Sequence, residues 1–344
     1  MAQILSRLAK GYSMKIDVFN HVFPNEFFEA AEKLMPARSV KRWKAMEELY
    51  NMDARMRVID KFDDYQQIIS ISQPPLDMIA GPDDTPELAR VANDGMARIC
   101  KEYPERMPWF IAALPMNNTQ EAMNEVDRVL DEHGAVGFQI HSNVNGNPLD
   151  SPEFRDIFAK IAERGKCVWL HPTRPASHAD YLTEDQSHYE IFWGIGWAYE
   201  TTAAMCRMVC SGMFDEIPNF HVMAHHWGAY IPHAEGRMPL WEARNATSTA
   251  DGNSFADNLE KPMLDYFKMF YGDTAMFGAK AQSQAGLDFF GAGSSFFATD
   301  APYDLSGGED NIRDTIDVIE SLNCTNSERH AIYEDNTRKL LLCS

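Results

Sequence analysis

Eight short apolar runs recur along the chain, with room for an amphipathic helix between most of them. This alternation constrains the fold more than any other feature. The runs are roughly Lys15–His21, Gln67–Ser72, Trp109–Leu114, Ala135–Gln139, Cys167–His171, Phe220–His225, Met269–Gly272 and Ser295–Thr299. Between them, Pro86 to Tyr103 carries apolar residues at Leu88, Val91, Met96 and Ile99, a proline at its start and Pro104 just beyond its end. Thr119 opens a second helix that Gly134 stops, and Ser151-Pro152-Glu153 opens a third. Strand then helix, repeated, is the pattern of a parallel sheet with crossovers. Eight such units predict an α/β fold, a (β/α)8 TIM barrel forming a single domain over residues 1–344. Two stretches exceed the repeat, near 24–60 and near 228–265. In a barrel these helical insertions lie on the catalytic face, as lids or subunit contacts.

Composition fits one large enzyme domain. A chain of 344 residues with 45% hydrophobic content can bury a substantial core. A formal charge of −20 argues against nucleic acid, whose phosphates call for a basic surface, and disfavours docking to anionic lipid. The six cysteines (Cys100, Cys167, Cys206, Cys210, Cys324 and Cys343) lack disulfide-like or zinc-knuckle spacing, which suits reduced thiols in the cytoplasm. No apolar run approaches the ~18 residues of a spanning helix, and Met1 to Lys15 lacks the apolar core of a secretion signal. The expectation is a soluble cytoplasmic protein without nucleic-acid or membrane partners.

Chemistry concentrates where the runs end. In parallel α/β folds the carboxyl ends of strands assemble the active site. His21 ends the first run, His171 the fifth, and Asp300 follows the eighth, just before Ala301-Pro302. A carboxylate directly after Phe296-Phe297-Ala298-Thr299 is costly to bury unless paired, protonated or metal-bound. Two imidazoles and a carboxylate suit zinc or manganese. Asp17, Phe19 and His21 alternate, so all three should share the inward face. In His221-Val222-Met223-Ala224-His225-His226-Trp227-Gly228, either His225 or His226 is a catalytic candidate; alternation leans towards His226, and spacing does not decide. Aromatic residues near the suspected mouth (Phe19, Phe23, Trp193, Trp197, Trp227, Tyr303) would suit a flat, unsaturated substrate, although packing is the favoured reading for Phe23 and Trp193.

These residues resemble the decarboxylase-type branch of the amidohydrolase superfamily, whose members include aminocarboxymuconate-semialdehyde and γ-resorcylate decarboxylases. The resemblance runs from Lys15 to about Leu341. It rests on Ile16 to Pro24, on Leu170-His171-Pro172, on Ala224 to Gly228 with Pro232 and Glu235-Gly236-Arg237, and on Thr299 to Asp304. It implies a distorted (β/α)8 barrel, His21, His171 and Asp300 as ligands of zinc or manganese, and His225 as the catalytic histidine. It also implies that Arg237 reaches the substrate carboxylate of a neighbouring subunit in a homodimer, for which Trp241 is a candidate contact.

The chain departs from that pattern at Phe19, where the branch carries a histidine or glutamate ligand. Three outcomes follow, in order of preference. The ion survives on His21, His171 and Asp300; or Asp17 substitutes from ~6.6 Å further down the strand; or the site is metal-free. With a metal, the expected reaction is non-oxidative decarboxylation of an aromatic or dienoic acid. The cation grips the substrate, Asp300 or His225 supplies the proton, and Phe19, Trp227, Arg237 and Arg174 bind substrate. For Arg174 a surface ion pair is an equal reading. Alternatives are hydrolysis of a carbon–carbon, lactone or amide bond on the same barrel, or a catalytically silent barrel.

Overall fold

The computed structural model describes residues 14–247 and 254–342. Eight strands form one sheet in chain order, every adjacent pair parallel: β1 (Lys15–Val22), β2 (Tyr65–Ile71), β3 (Trp109–Ala113), β4 (Gly137–His141), β5 (Cys167–His171), β6 (His221–Ala224), β7 (Tyr271–Asp273) and β8 (Ser295–Phe296). The last strand meets the first. Val18 N–H donates to Phe297 O, Asp300 N–H to Phe19 O, and His21 N–H to Ala301 O, which closes the barrel.

The predicted β5 agrees residue for residue; other boundaries move. β8 is only two residues long because Phe297 N–H turns to Ile332 O while its carbonyl serves β1. β7 starts later than expected because Met269 N–H closes the preceding helical turn on Tyr266 O.

The barrel interior is filled by Ile16, Val18, Phe19, Ile68, Ile111, Trp169, Met223, Phe296 and Ala298. Trp169 fits because Gly137 lacks a side chain: a Cβ there would meet the indole at 2.1 Å. The Trp169 indole N–H also donates to Val18 O at 3.1 Å, fixing it across the lumen.

Helices α1 (Asn25–Ala31), α2 (Ala37–Lys44) and α3 (Met52–Ile59) fill the first insertion. The crossover helices α4 (Thr85–Glu102), α5 (Thr119–Arg128) and α6 (Pro152–Glu163) follow the expected periodicity. Asn118 rather than Thr119 caps α5, accepting from Glu121 N–H. A third insertion, 172–195, was not legible as one; it precedes α7 (Gly196–Cys210). The second insertion contains α8 (Met238–Thr247), and α9 (Lys280–Phe290) and α10 (Glu309–Ser321) complete the outer layer. Among the described residues no helix is long and apolar enough to cross a membrane, and no disulfide forms; Cys343 lies outside them.

Candidate metal centre and active site

His21, His171, His225 and Asp300 are all buried, and one donor atom from each falls within 4.8 Å of the other three. Each imidazole is aimed by what holds its Nδ1. His21 Nδ1 faces Ile71 O at 3.1 Å, His171 Nδ1 faces Pro172 O at 2.7 Å, and His225 Nδ1 faces Asp273 Oδ2 at 2.5 Å. At His21 and His171 an acceptor at Nδ1 selects the tautomer that turns the Nε2 lone pair inward, as metal-binding histidines require; at His225 the acceptor is a carboxylate, which favours the protonated ring.

The Nε2 atoms of His21 and His225 lie 3.0 and 3.4 Å from Asp300 Oδ1. None of the three makes a satisfactory hydrogen bond, although all are buried. Buried polar atoms that converge without bonding to one another fit a cation between them. Nitrogen and carboxylate donors together suit zinc or manganese.

Backbone strain is concentrated at the same place. Asp300 has φ 59° and His226 and Trp227 have φ 56° and 46°, left-handed values that only a determining environment sustains. The turn after β6 sends His225 into the lumen and Trp227 out of it. The expectation that Trp227 contacts substrate is therefore corrected: its indole is 1% exposed and wedged against Gly272 and Gly286, where any Cβ would collide with it. His226 stacks on His225 at 3.7 Å, with its Nδ1 facing Ala275 O, and stays outside the four-residue cluster.

Asp17 is likewise not brought to the cluster. Residues 17 to 20 of β1 pair with only 67 to 69 of β2, so one extra residue bulges the strand. The bulge takes Asp17 out of the alternation that Phe19 and His21 share. Its carboxylate instead accepts from the Tyr65 hydroxyl at 2.5 Å and the Thr299 hydroxyl at 2.6 Å. Phe19 forms the floor, its ring 4.2 Å from His225, 5.3 Å from His21 and 5.5 Å from His171.

Arg174 pairs with Glu200 at 2.8 Å and donates to Ala179 O, tying the third insertion to α7. Arg237 is exposed on the second insertion. Trp197 reaches His171 with rings 6.0 Å apart. The Tyr303 ring lies 5.5 Å from His21, with its buried hydroxyl unpartnered. Arg42 of α2 stacks on Trp193 at 5.6 Å, linking the first and third insertions.

Electrostatics separate the four groups. Burial, reinforced by His21, His141 and His225, holds His171 well below the usual imidazole range. Burial alone would raise Asp300, but the close approach of the His21 and His225 imidazoles holds it well below the usual carboxylate range. For His225 burial pulls downward, yet Asp273 and then Asp300 outweigh it and lift the imidazole to about 9. His226 is pushed down to about 4 by burial and by His225.

Three residues that position the cluster or its backbone were missed in the sequence. Asp273 follows the seventh run just as Asp300 follows the eighth, and the same signal could have found it. Gln73, whose Nε2 donates to Pro172 O, carried no signal. Arg55 of α3 is buried and grips His21 O, Asn20 Oδ1 and Gln67 Oε1 at 2.7, 2.6 and 2.8 Å, a role visible only in three dimensions.

A family model described as Amidohydrolase matches residues 16–342. The chain belongs to the amidohydrolase family. This amidohydrolase is 29% identical over 243 residues to the 2-amino-3-carboxymuconate-6-semialdehyde decarboxylase of Dictyostelium discoideum, covering 66% of each protein. It is 28% identical over 303 residues to the γ-resorcylate decarboxylase of Rhodococcus jostii, covering 84% of this chain and 86% of the relative. Its fold matches that of a dihydroxybenzoic acid decarboxylase from Polaromonas sp. JS666, which holds manganese and 2-nitroresorcinol. The TM-score is 0.76 at 23% identity, over 96% of this chain and 97% of the other.

Proposed function

We propose that this amidohydrolase is a metal-dependent carboxy-lyase that removes carbon dioxide non-oxidatively from an aromatic or dienoic carboxylic acid. The observation carrying this reading is the convergence of His21, His171, His225 and Asp300 above the Phe19 ring. Decarboxylase relatives and the manganese in the Polaromonas enzyme support it.

His21, His171 and Asp300 would hold the ion, zinc or manganese, with His225 beside it. Bound there, the cation supplies positive charge that orients the substrate carboxylate and stabilises the electron pair left on carbon. When the bond to the carboxylate breaks, carbon dioxide departs and that pair stays behind. His225 delivers the proton that captures it. Asp273 fixes its Nδ1, and an imidazole lifted to about 9 keeps a proton on Nε2 at neutral pH. Asp300, held ionised, is the poorer donor. Phe19 and Trp197 present flat apolar surface beside the cluster, suited to a planar ring.

Arg237 serves a neighbouring copy in this reading: it is exposed on the second insertion, which suits a homodimer. Trp241, 41% exposed on α8, is the matching contact. Arg174, committed to Glu200, is an anchor of the loop. Thiols without a disulfide among the described residues support a reducing, cytoplasmic setting.

The test is carbon dioxide release from 2,6-dihydroxybenzoate, 2-hydroxybenzoate and muconate-type acids by protein loaded with manganese or zinc. Release with incorporation of one solvent hydrogen at the vacated carbon supports the proposal. Turnover of lactones or amides with no release from any acid would replace it with a hydrolase.

A further inference from the structure

A recess beside the cluster has no role in the chemistry above. It lies at the carboxyl ends of β2, β3 and β4, has room for about one water-sized group, and is walled by Leu76, Leu114 and Met116 together with Asp77, Gln139 and His141. His141 pairs in register with His171, their rings 5.2 Å apart, so the recess adjoins the proposed metal ligands. Gln139 Nε2 donates at 3.1 Å to Ile71 O, the same carbonyl that faces His21 Nδ1. That bond sets the amide orientation and leaves Gln139 Oε1 buried without a partner. His141 Nε2 is also buried and unpartnered. Gln139 is 4% exposed and His141 9%, so solvent does not satisfy them. Asp77 adds a carboxylate, one of whose oxygens accepts from Asn145 N–H at 2.8 Å.

We propose that this recess is a specificity subsite for a hydrogen-bond-donating substituent, a hydroxyl or amino group, on a ring bound at the cluster. The proposal rests on the decarboxylase reading for the identity of that ring. The lining decides the chemistry of the substituent. Gln139 Oε1 and the Asp77 carboxylate only accept, and His141 Nε2 can do either. An apolar substituent would leave these acceptors dry, and an anionic one would face Asp77. A small donor satisfies them, and its absence is penalised because buried polar groups then stay unpaired.

The experiment is spectrophotometric titration of manganese-loaded protein with 2-nitroresorcinol and 2-nitrophenol, which differ by one hydroxyl. Wild type is expected to favour 2-nitroresorcinol by at least about tenfold, a difference of about 1.4 kcal/mol. In Gln139→Met the ratio should fall to within about twofold, as it should in Leu114→Phe, which fills the recess from its apolar wall. A ratio near unity in wild type, or one that survives both substitutions in protein that folds, overturns the subsite. Failure of wild type to decarboxylate any acid would instead remove the reaction, and the binding ratio would still judge the recess.

Discussion

His225 Nδ1 and Asp273 Oδ2 lie 2.5 Å apart, and both side chains are fully buried. The other oxygen of Asp273 accepts from His226 N–H at 3.0 Å and Ala275 N–H at 3.1 Å, so the carboxylate is locked to the turn that carries the histidine. Asp273 thereby fixes both the tautomer and the basicity of His225. Asp273→Asn keeps the shape but removes the charge and permits the wrong tautomer. The expected result is a loss of about 10²–10⁴ in kcat with bound metal unchanged, read by steady-state kinetics and elemental analysis. A loss of metal in parallel with activity would show that the pair serves the ion rather than the proton.

The four converging donors lead to a prediction about the ion itself. Untreated protein should contain one zinc or manganese per chain, and dialysis against a chelator should abolish turnover until the ion is returned. Manganese at about 100 times its Kd should stabilise the fold by about 2.7 kcal/mol. His171→Ala should eliminate most of that increment, because it removes one of the imidazoles that converge on the ion. Thermal melts with and without manganese decide the matter.

Phe19 sits where a further ligand would stand in the branch the chain resembles, and its ring is completely buried. Replacing it with alanine opens a cavity under three imidazoles and should cost about 3–5 kcal/mol, measured by denaturant unfolding. Phe19→His should instead tighten metal binding by about tenfold or more, about 1.4 kcal/mol, in a competition titration. Unchanged affinity would mean that the histidine cannot turn towards the ion from the floor of the site.

The legible part of this protein was its repeat and its strand ends. Alternating apolar runs and amphipathic segments are a direct consequence of eight buried strands covered by helices, so the barrel could be read. His21, His171 and Asp300 were legible because a polar residue closing an apolar strand has few structural uses. Alternation misled in two places. It assumed an unbroken strand at Asp17, where a bulge inserts one residue, and it leaned towards His226, where two left-handed residues reverse the facing. Bulges and positive φ values are set by neighbouring strands, which single-strand periodicity does not register. Asp273 stood one residue past its run just as Asp300 did and was legible by the same rule, whereas Arg55 was not, because its three partners come from β1 and β2.

The bulge has a consequence for stability. Asp17 is wholly buried, and burial raises its carboxyl to about 6 despite the opposing hydrogen bonds from Thr299 and Tyr65. In the unfolded chain the same group titrates near 3.8. Between these values the folded state holds a proton that the unfolded state has released, so stability falls as pH rises through this window. About one pH unit above the folded value both states are ionised and the loss is complete. A shift of this size corresponds to about 3 kcal/mol. Asp17→Asn cannot ionise, so the stability of wild type relative to Asp17→Asn should decline by about 2 kcal/mol from pH 4 to pH 7, measured by urea unfolding at each pH. Tyr65 does not blur the result, because burial and Asp17 hold its phenol well above its ordinary value and it stays protonated throughout. A difference that stayed constant across the range would mean that the bulge leaves Asp17 hydrated, and that the bonds to Tyr65 and Thr299 form only with the carboxylate already charged.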